Sequence, residues 1–271
     1  MEHPGFDESQ QLAAGNTWAM TRGLTTPEQG RAIVDEYKRR HEATGDAFPW
    51  WSLQPGYPDE LGYWPGAPYC VQGGYANGGL LPYVGGGLCL AAFSCGRERY
   101  GVELLKQYTD MLKASGNRVY VWYWTNGEPG IRTANEVPRA GWGMSEWLMA
   151  LIEGLAGVTP LTPRMRRIQI APRWAAASQD EAYVSMRYAV NDSYIAYRLN
   201  IDRQARTVSV QFTGSGEAAE FHVLLPDGWS ATRVLVGGAP VDWRQSAMAE
   251  SGYVDLSVKI AGGTEVIVQC G

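Results

Sequence analysis

Apolar positions recur at two different spacings along this chain, and the change from one to the other divides it. Through residue 160 the spacing is helical. Thr26-Pro27-Glu28-Gln29 reads as a capping box with proline at the first helical position. Ile33, Val34, Tyr37 and His41 follow at helical intervals, which predicts a helix over 26–43. A second, over 80–93, is apolar nearly all round. A third, over 99–114, carries Val102, Leu105, Tyr108, Met111 and Leu112 on one stripe and stops at Ser115-Gly116-Asn117. A fourth, over 142–156, carries Trp147, Leu148, Leu151, Ile152 and Leu155 and ends at Gly157, with Pro160 beyond. A weaker pattern places a further helix within 8–20. Helices that are apolar on most faces must be wrapped by other elements, so this half reads as a buried bundle or ring.

From Met165 onward the period falls to two. Ile168 and Ile170, Tyr183–Arg187, Tyr194–Leu199, Thr207–Phe212, Glu220–Leu225, Thr232–Val236, Tyr253–Ile260 and Glu265–Gln269 form a series of short β-rich segments. Asn191-Asp192, Gly214-Ser215-Gly216, Pro226-Asp227-Gly228, Gly237-Gly238 and Gly262-Gly263 supply the turns between them. About eight short strands at near ten-residue spacing predict an antiparallel sandwich. The expected fold class is therefore α+β with two domains, helical over 1–162 and a β-sandwich over 163–271. The join falls at Thr159-Pro160-Leu161-Thr162-Pro163.

Composition narrows the functional classes. The 271 residues are 45% hydrophobic and 19% charged, which suits a chain that buries a core. No run approaches the ~18 apolar residues of a spanning helix, so no membrane role is expected. MEHPGFDESQ has neither a basic nor an apolar segment of the signal-peptide type, so the expectation is a cytoplasmic protein. The net charge is −5, with no basic stripe to meet a phosphate backbone, so nucleic acid is not an expected partner. Cys70, Cys89, Cys95 and Cys270 form no CxxC pair and accompany three histidines, so no metal is expected and the thiols read as free and buried. The unusual feature of the composition is aromatic: 11 Trp and 15 Tyr against 5 Phe. Rings that carry a polar edge suit sites that stack on a polar ligand, and sugars are the commonest of these.

Two loops concentrate those rings. Residues 48–83 hold nine aromatics, Trp51, Trp64 and Tyr75 among them, with no lysine or arginine and only two acids, Asp59 and Glu60. Most of the nine pack the loop on the helices, and three or four are assigned to ligand. The loop closes with Gln72-Gly73-Gly74-Tyr75-Ala76-Asn77-Gly78-Gly79, where Asn77 stands at a helix entrance either as an N-cap or as a ligand contact. The second loop, 117–142, carries Trp122, Trp124, Glu128, Glu136 and Trp142. Glycoside hydrolysis needs two carboxyl groups, about 6.5–9.5 Å apart for inversion and about 5–5.5 Å for retention. Glu128 and Glu136 are the acids best placed on this loop; either also suits a surface or arginine-paired role. Glu146 and Glu153, on the last predicted helix, read as structural, and Asp59 with Glu60 forms an outside candidate pair.

Tyr75-Ala76-Asn77-Gly78-Gly79-Leu80-Leu81-Pro82 resembles a segment of the six-hairpin glycosidases, the (α/α)6-toroid glycoside hydrolases that include glycogen-debranching-like, trehalase-like and α-L-rhamnosidase-like enzymes. Gly141–Leu148 is similar to the tryptophan-bearing start of their last barrel helix, and Thr26–Tyr37 to an earlier one. Glu153–Val158 with Ile168–Pro172 is similar to their passage into a C-terminal β-domain. The resemblance implies a partial toroid, the closing hairpins, followed by the β-sandwich. Four or five helices are fewer than six hairpins require. In this superfamily the general acid usually comes from an earlier loop, and the position matching the usual base falls within Tyr120–Trp124, which holds no acid.

The leading expectation is thus the C-terminal part of an inverting glycoside hydrolase acting on an oligosaccharide or glycoside. Glu128 or Glu136 would activate water, and Trp51, Trp64, Tyr75, Asn77, Trp122, Trp124 and Trp142 would hold substrate. No organic cofactor is implied. The alternative is a non-catalytic carbohydrate-binding or scaffolding protein built on the same fold. A sugar phosphorylase ranks last, because no cluster of basic residues and glycines forms a phosphate site. A half-ring leaves apolar helix faces bare, which predicts a homo-oligomer or a partner chain that completes the barrel.

Overall fold

The computed structural model describes residues 6–61, 67–131 and 138–271. It divides into two compact units, Met1–Ala150 and Leu151–Gly271.

The first unit is built from five α-helices: α1 (Gly15–Thr21), α2 (Pro27–Thr44), α3 (Pro82–Ser94), α4 (Glu98–Ala114) and α5 (Gly141–Met149). Two short strands, β1 (Leu12–Ala13) and β2 (Leu53–Gln54), pair antiparallel. The capping box of α2 is formed on both sides: Gln29 N–H donates to Thr26 Oγ1 at 3.3 Å and Thr26 N–H to Gln29 Oε1 at 2.9 Å. The helix ends at Gly45 in the left-handed region. The weak pattern over 8–20 is not one helix. Asp7 caps a single 3-10 turn, β1 follows, and only Gly15–Thr21 is α-helical.

α3 is the axis of this unit, with eleven of its thirteen residues buried. It packs against α1, α2, α4 and α5. Its Gly85-Gly86-Gly87 run explains how so short a helix accepts so many neighbours. A Cβ at Gly85 would stand 2.5 Å from the Trp50 indole, and one at Gly86 would stand 2.5 Å from the Glu146 carbonyl carbon. At Gly87 it would meet Thr17 Oγ1 at 3.1 Å. Of the predicted α4 stripe, Leu105, Tyr108, Met111 and Leu112 are buried, whereas Val102 is only partly so and Leu104 joins the core in its stead. The predicted fourth helix begins as α5 and continues through a π-type turn over Ala150–Leu155, which Gly157 stops.

The second unit is a two-sheet sandwich. One sheet has the order β10-β9-β13-β7-β6-β5 and the other β11-β12-β8-β4-β3. The strands are β3 (Val158–Pro160), β4 (Arg167–Ile170), β5 (Glu181–Tyr188), β6 (Ser193–Asp202), β7 (Thr207–Gly214), β8 (Ala218–Leu224), β9 (Ala231–Val236), β10 (Ala239–Pro240), β11 (Arg244–Met248), β12 (Ser251–Lys259) and β13 (Thr264–Cys270). All pairings are antiparallel except β4 with β8, which run parallel. Alternate residues of each strand enter one core, as Ile195, Tyr197, Leu199 and Ile201 do on β6, and Phe212 meets Phe221 edge to face at 5.0 Å. The eight predicted segments all become strands. The three additional ones, β3, β10 and β11, carry no alternation to read: two have three residues or fewer, and Arg244–Met248 is a largely polar edge strand. Arg173 is buried within this unit and donates to the Gly154 carbonyl at the end of the π-type turn at 2.7 Å and to the Ala171 carbonyl just after β4 at 3.2 Å.

All four cysteines are free thiols; Cys70, Cys89 and Cys95 are buried and Cys270 is partly so. Burial pushes the Cys95 thiol up to about 11. No helix among the described residues is long and apolar enough to cross a membrane.

Candidate functional site

The long loop between α2 and α3 and the loop after α4 are tied together by backbone bonds. Ser52 N–H donates to Gly79 O at 2.8 Å and Leu81 N–H to Trp50 O at 2.6 Å, while Leu80 and Tyr123 exchange both bonds at 2.8 Å. The segments around Trp51, Leu80 and Tyr123 therefore form a small irregular sheet that carries the loop cluster. Ahead of it, the chain over 71–79 turns back on itself: Gly73 N–H reaches Asn77 O and Asn77 N–H reaches Gly74 O at 2.8 and 2.7 Å. Only glycine serves at Gly79, where a Cβ would lie 2.5 Å from the Tyr75 nitrogen.

A groove of about 430 Å³ opens where this cluster meets β1 and the start of α5. Ser52, Tyr75, Leu81, Tyr83, Val121 and Trp142 line it, together with Ala13 and the backbone leading into α1. Pairing of Ala13 with Leu53, and the Ala14 N–H bond to Ser52 O at 3.0 Å, hold that backbone in place. Ser52 Oγ accepts from Gly78 N–H at 2.9 Å and keeps a proton to donate. Burial, with the Tyr75 hydroxyl as a second cause, pushes the Tyr83 hydroxyl above its ordinary pKa, so it stays a donor at neutral pH. Trp18 stacks on Tyr83 with centroids 5.7 Å apart. Trp142, at the first turn of α5, is 56% exposed. The groove thus offers a broad indole face beside three hydroxyls, and none of the described residues lining it is acidic.

Of the residues singled out from the sequence, the structure brings Tyr75 and Trp142 together at this groove. Three others are fully enclosed. Trp51 stacks on Tyr37 at 6.0 Å and donates its indole N–H to Asp46 Oδ2 at 2.7 Å. Trp122 is wholly buried, with Trp124 edge-on at 4.6 Å. Asn77, also wholly buried, accepts from Tyr57 N–H at 2.6 Å and donates to the Tyr57 and Cys70 carbonyls at 3.0 and 3.2 Å. Its amide closes the loop, and it does not cap α3, which begins at Pro82 with Leu81 at the cap. Trp124 is partly buried and lines no part of the groove.

Glu128 is exposed at the end of a tight turn, where Trp124 and Glu128 pair through Trp124 N–H to Glu128 O at 2.8 Å. Trp64 and Glu136 lie outside the described residues. Asp59 sits in a 3-10 turn and accepts from Gln72 N–H at 2.6 Å.

Sequence reasoning missed Ser52 and Tyr83 as groove residues, and Trp18 as the ring that stacks on Tyr83. Tyr83 falls inside the aromatic run but on a helix that is apolar all round, and Trp18 falls in a segment whose helical period is broken by β1. It also set Glu146 aside as structural. Glu146 stands one helical turn beyond Trp142 on α5, and burial raises its carboxyl above the usual range while Arg22 works against that. Among the described residues no group of three His, Cys, Asp or Glu side chains could hold a metal.

No family model matches the chain, and no curated protein matches it either. Among solved structures, the chain is similar to a protein described as a glycoside hydrolase, at 11% identity and a TM-score of 0.35, over 72% of this chain and 33% of that one. It is also similar to a GH127 β-L-arabinofuranosidase from Geobacillus stearothermophilus T6, at 8% identity and a TM-score of 0.33, over 72% of this chain and 32% of that one. The chain spans about one third of the length of each. The class is that of an α+β chain with a helical unit that carries an aromatic groove and a β-sandwich unit. Both of these partly similar structures are described as glycosidases or glycoside hydrolases.

Proposed function

We propose that this is a carbohydrate-active protein of the glycoside hydrolase kind, whose helical unit binds a sugar ring in the groove between Tyr75 and Trp142. The observation that carries the reading is the groove's make-up: an exposed indole to cover the C–H face of a sugar, with the Ser52, Tyr75 and Tyr83 hydroxyls to meet its polar edge. In this reading α2 to α5 are closing hairpins of a six-hairpin ring. Glu128, on the loop that carries Val121 to the groove, or Glu136 on the same loop, activates water for inversion at the anomeric carbon. Trp18, Leu24 and Leu148, exposed by 49, 79 and 43%, are apolar surface that a further hairpin, a second copy or a partner chain would cover.

A specific observation also favours binding without hydrolysis: no acidic side chain lines the described part of the groove. One experiment separates the two. The chain is assayed against nitrophenyl glycosides of both anomers, and binding of the corresponding methyl glycosides is followed by tryptophan fluorescence. Hydrolysis that is lost in Glu128→Gln or Glu136→Gln while binding persists supports the catalytic reading. Binding without turnover, weakened by Trp142→Ala, supports the second. No binding of any glycoside refutes both.

A further inference from the structure

The β-sandwich holds the larger concavity of about 710 Å³, on the outer face of its six-stranded sheet. Strand register explains its shape. Ser185, Ala196 and Thr213 are direct partners across β5, β6 and β7, so their short side chains form a low row running across the strands. The neighbouring row is Tyr183, Arg198, Gln211 and Glu265, also direct partners, and all four are long. On the other side of the short row, beyond the residues that line the concavity, Arg187 pairs with Tyr194. The short row therefore forms a trough between two rows of long side chains.

The banks are chemically specific. Tyr183 is 70% exposed, and the Arg198 guanidinium lies 5.0 Å from its ring centroid, steadying the ring without covering it. Tyr194 stands on the opposite bank, 38% exposed. The charges nearly cancel: Arg198 is 3.9 Å from Glu181 and Arg187 is paired with Asp192, which leaves one carboxylate, Glu265, whose Oε1 accepts from Gln211 at 3.2 Å. Such a surface attracts neither a polyanion nor a polycation. Its low row is too small and too hydroxylated to bury the apolar face of another sheet. What remains complementary is an uncharged, polyhydroxylated chain that stacks one ring face on tyrosine and meets hydroxyl, amide and guanidinium groups at its edges.

We propose that this trough is a binding site for a neutral oligosaccharide, separate from the groove of the helical unit. It does not rest on the reading of that groove, and each site has its own variants.

The test is amide-resolved NMR on the isotopically labelled full chain, titrated with xylohexaose, cellohexaose, maltohexaose and mannohexaose up to about 10 mM. Saturable shifts at Ser185, Ala196, Arg198, Gln211 and Thr213 with at least one hexaose are expected. Tyr183→Ala should weaken that binding about tenfold and Tyr183→Phe should restore it, because the ring face and not the hydroxyl does the stacking. Thr213→Trp, which fills a half-buried position of the trough, should abolish it, while Trp142→Ala leaves it unchanged. Absence of shifts with every hexaose overturns the proposal. So does binding that Tyr183→Ala leaves intact, preferential response to octanoate, or a ligand-free, concentration-dependent shift of the same amides that marks a contact between copies.

Discussion

Gly85-Gly86-Gly87 of the helical unit and Gly237 and Gly262 of the β-sandwich serve opposite ends, and the two units also place their aromatic rings differently. In the helical unit Gly85, Gly86 and Gly87 lie in an ordinary helix and exist to remove side chains, so that an indole, another helix and a threonine reach the α3 backbone. In the sandwich Gly237 and Gly262 sit at positive φ with nothing within 4 Å, and exist to turn the chain. The rings follow suit. The helical unit encloses Trp50, Trp51 and Trp122 completely, whereas Tyr183 and Tyr188 of β5 and Tyr194 of β6 stand out from the sheet. A unit made by close approach builds its groove at the seams between loops. A unit made by alternation leaves a whole face free.

The largest expected effect breaks the close-approach half of this comparison. Gly86→Val forces side-chain atoms into the α5 backbone and should cost about 3 kcal/mol or more in denaturant unfolding. Gly262→Ala meets only the positive-φ penalty and should cost about 1 kcal/mol. Equal losses would erase the contrast. In the sandwich core, Phe212→Ala removes the edge-to-face contact with Phe221 and leaves a cavity, at about 3–5 kcal/mol. Trp142→Ala sharpens the comparison from the other side. The ring is more than half exposed, so unfolding should shift by less than about 0.5 kcal/mol while sugar affinity falls about tenfold.

The smallest effects are electrostatic and opposite in sign. Arg39 and Arg40 hold the Glu36 carboxyl down to about 2, so the stability it contributes is present above the usual carboxylate range, near 4.5, and is lost as pH falls toward 2. The group is on the surface, and the loss should stay below about 1 kcal/mol. Burial raises Glu146, so the folded chain holds its proton more tightly than the unfolded one, and stability declines as pH rises past 4.5. Glu146→Gln should therefore raise the melting temperature at pH 7 and leave it unchanged at pH 3. A thermal melt series over that range reads both.

Most of the architecture was legible because it is written in period. The capping box of α2, the α4 stripe and the eight alternating β segments each identify their element locally. What the sequence concealed is what geometry alone decides. Nothing in the Gly85-Gly86-Gly87 run says which neighbours it admits, and the π-type turn over Ala150–Leu155 shares its composition with the helix before it. For the candidate site, richness in aromatics pointed to the two loops but could not sort their rings. Trp51 and Trp122 were spent on the interior and Asn77 on the loop's own carbonyls, whereas Tyr75 and Trp142 reached the groove. Ser52 and Tyr83 join them only because three distant segments pair through Leu80. The trough on the sheet was equally hidden, since it depends on which residues face one another across strands.

The central claim is that the groove at Trp142 holds a sugar. Its most direct test is the indole N–H spectrum of the full chain, with the Trp142 signal identified by Trp142→Phe, during titration with methyl glycosides of both anomers. The account predicts that this signal moves saturably with at least one glycoside while those of the enclosed Trp51 and Trp122 stay in place. An unmoved Trp142 signal across the series, or movement confined to the enclosed indoles, would contradict it.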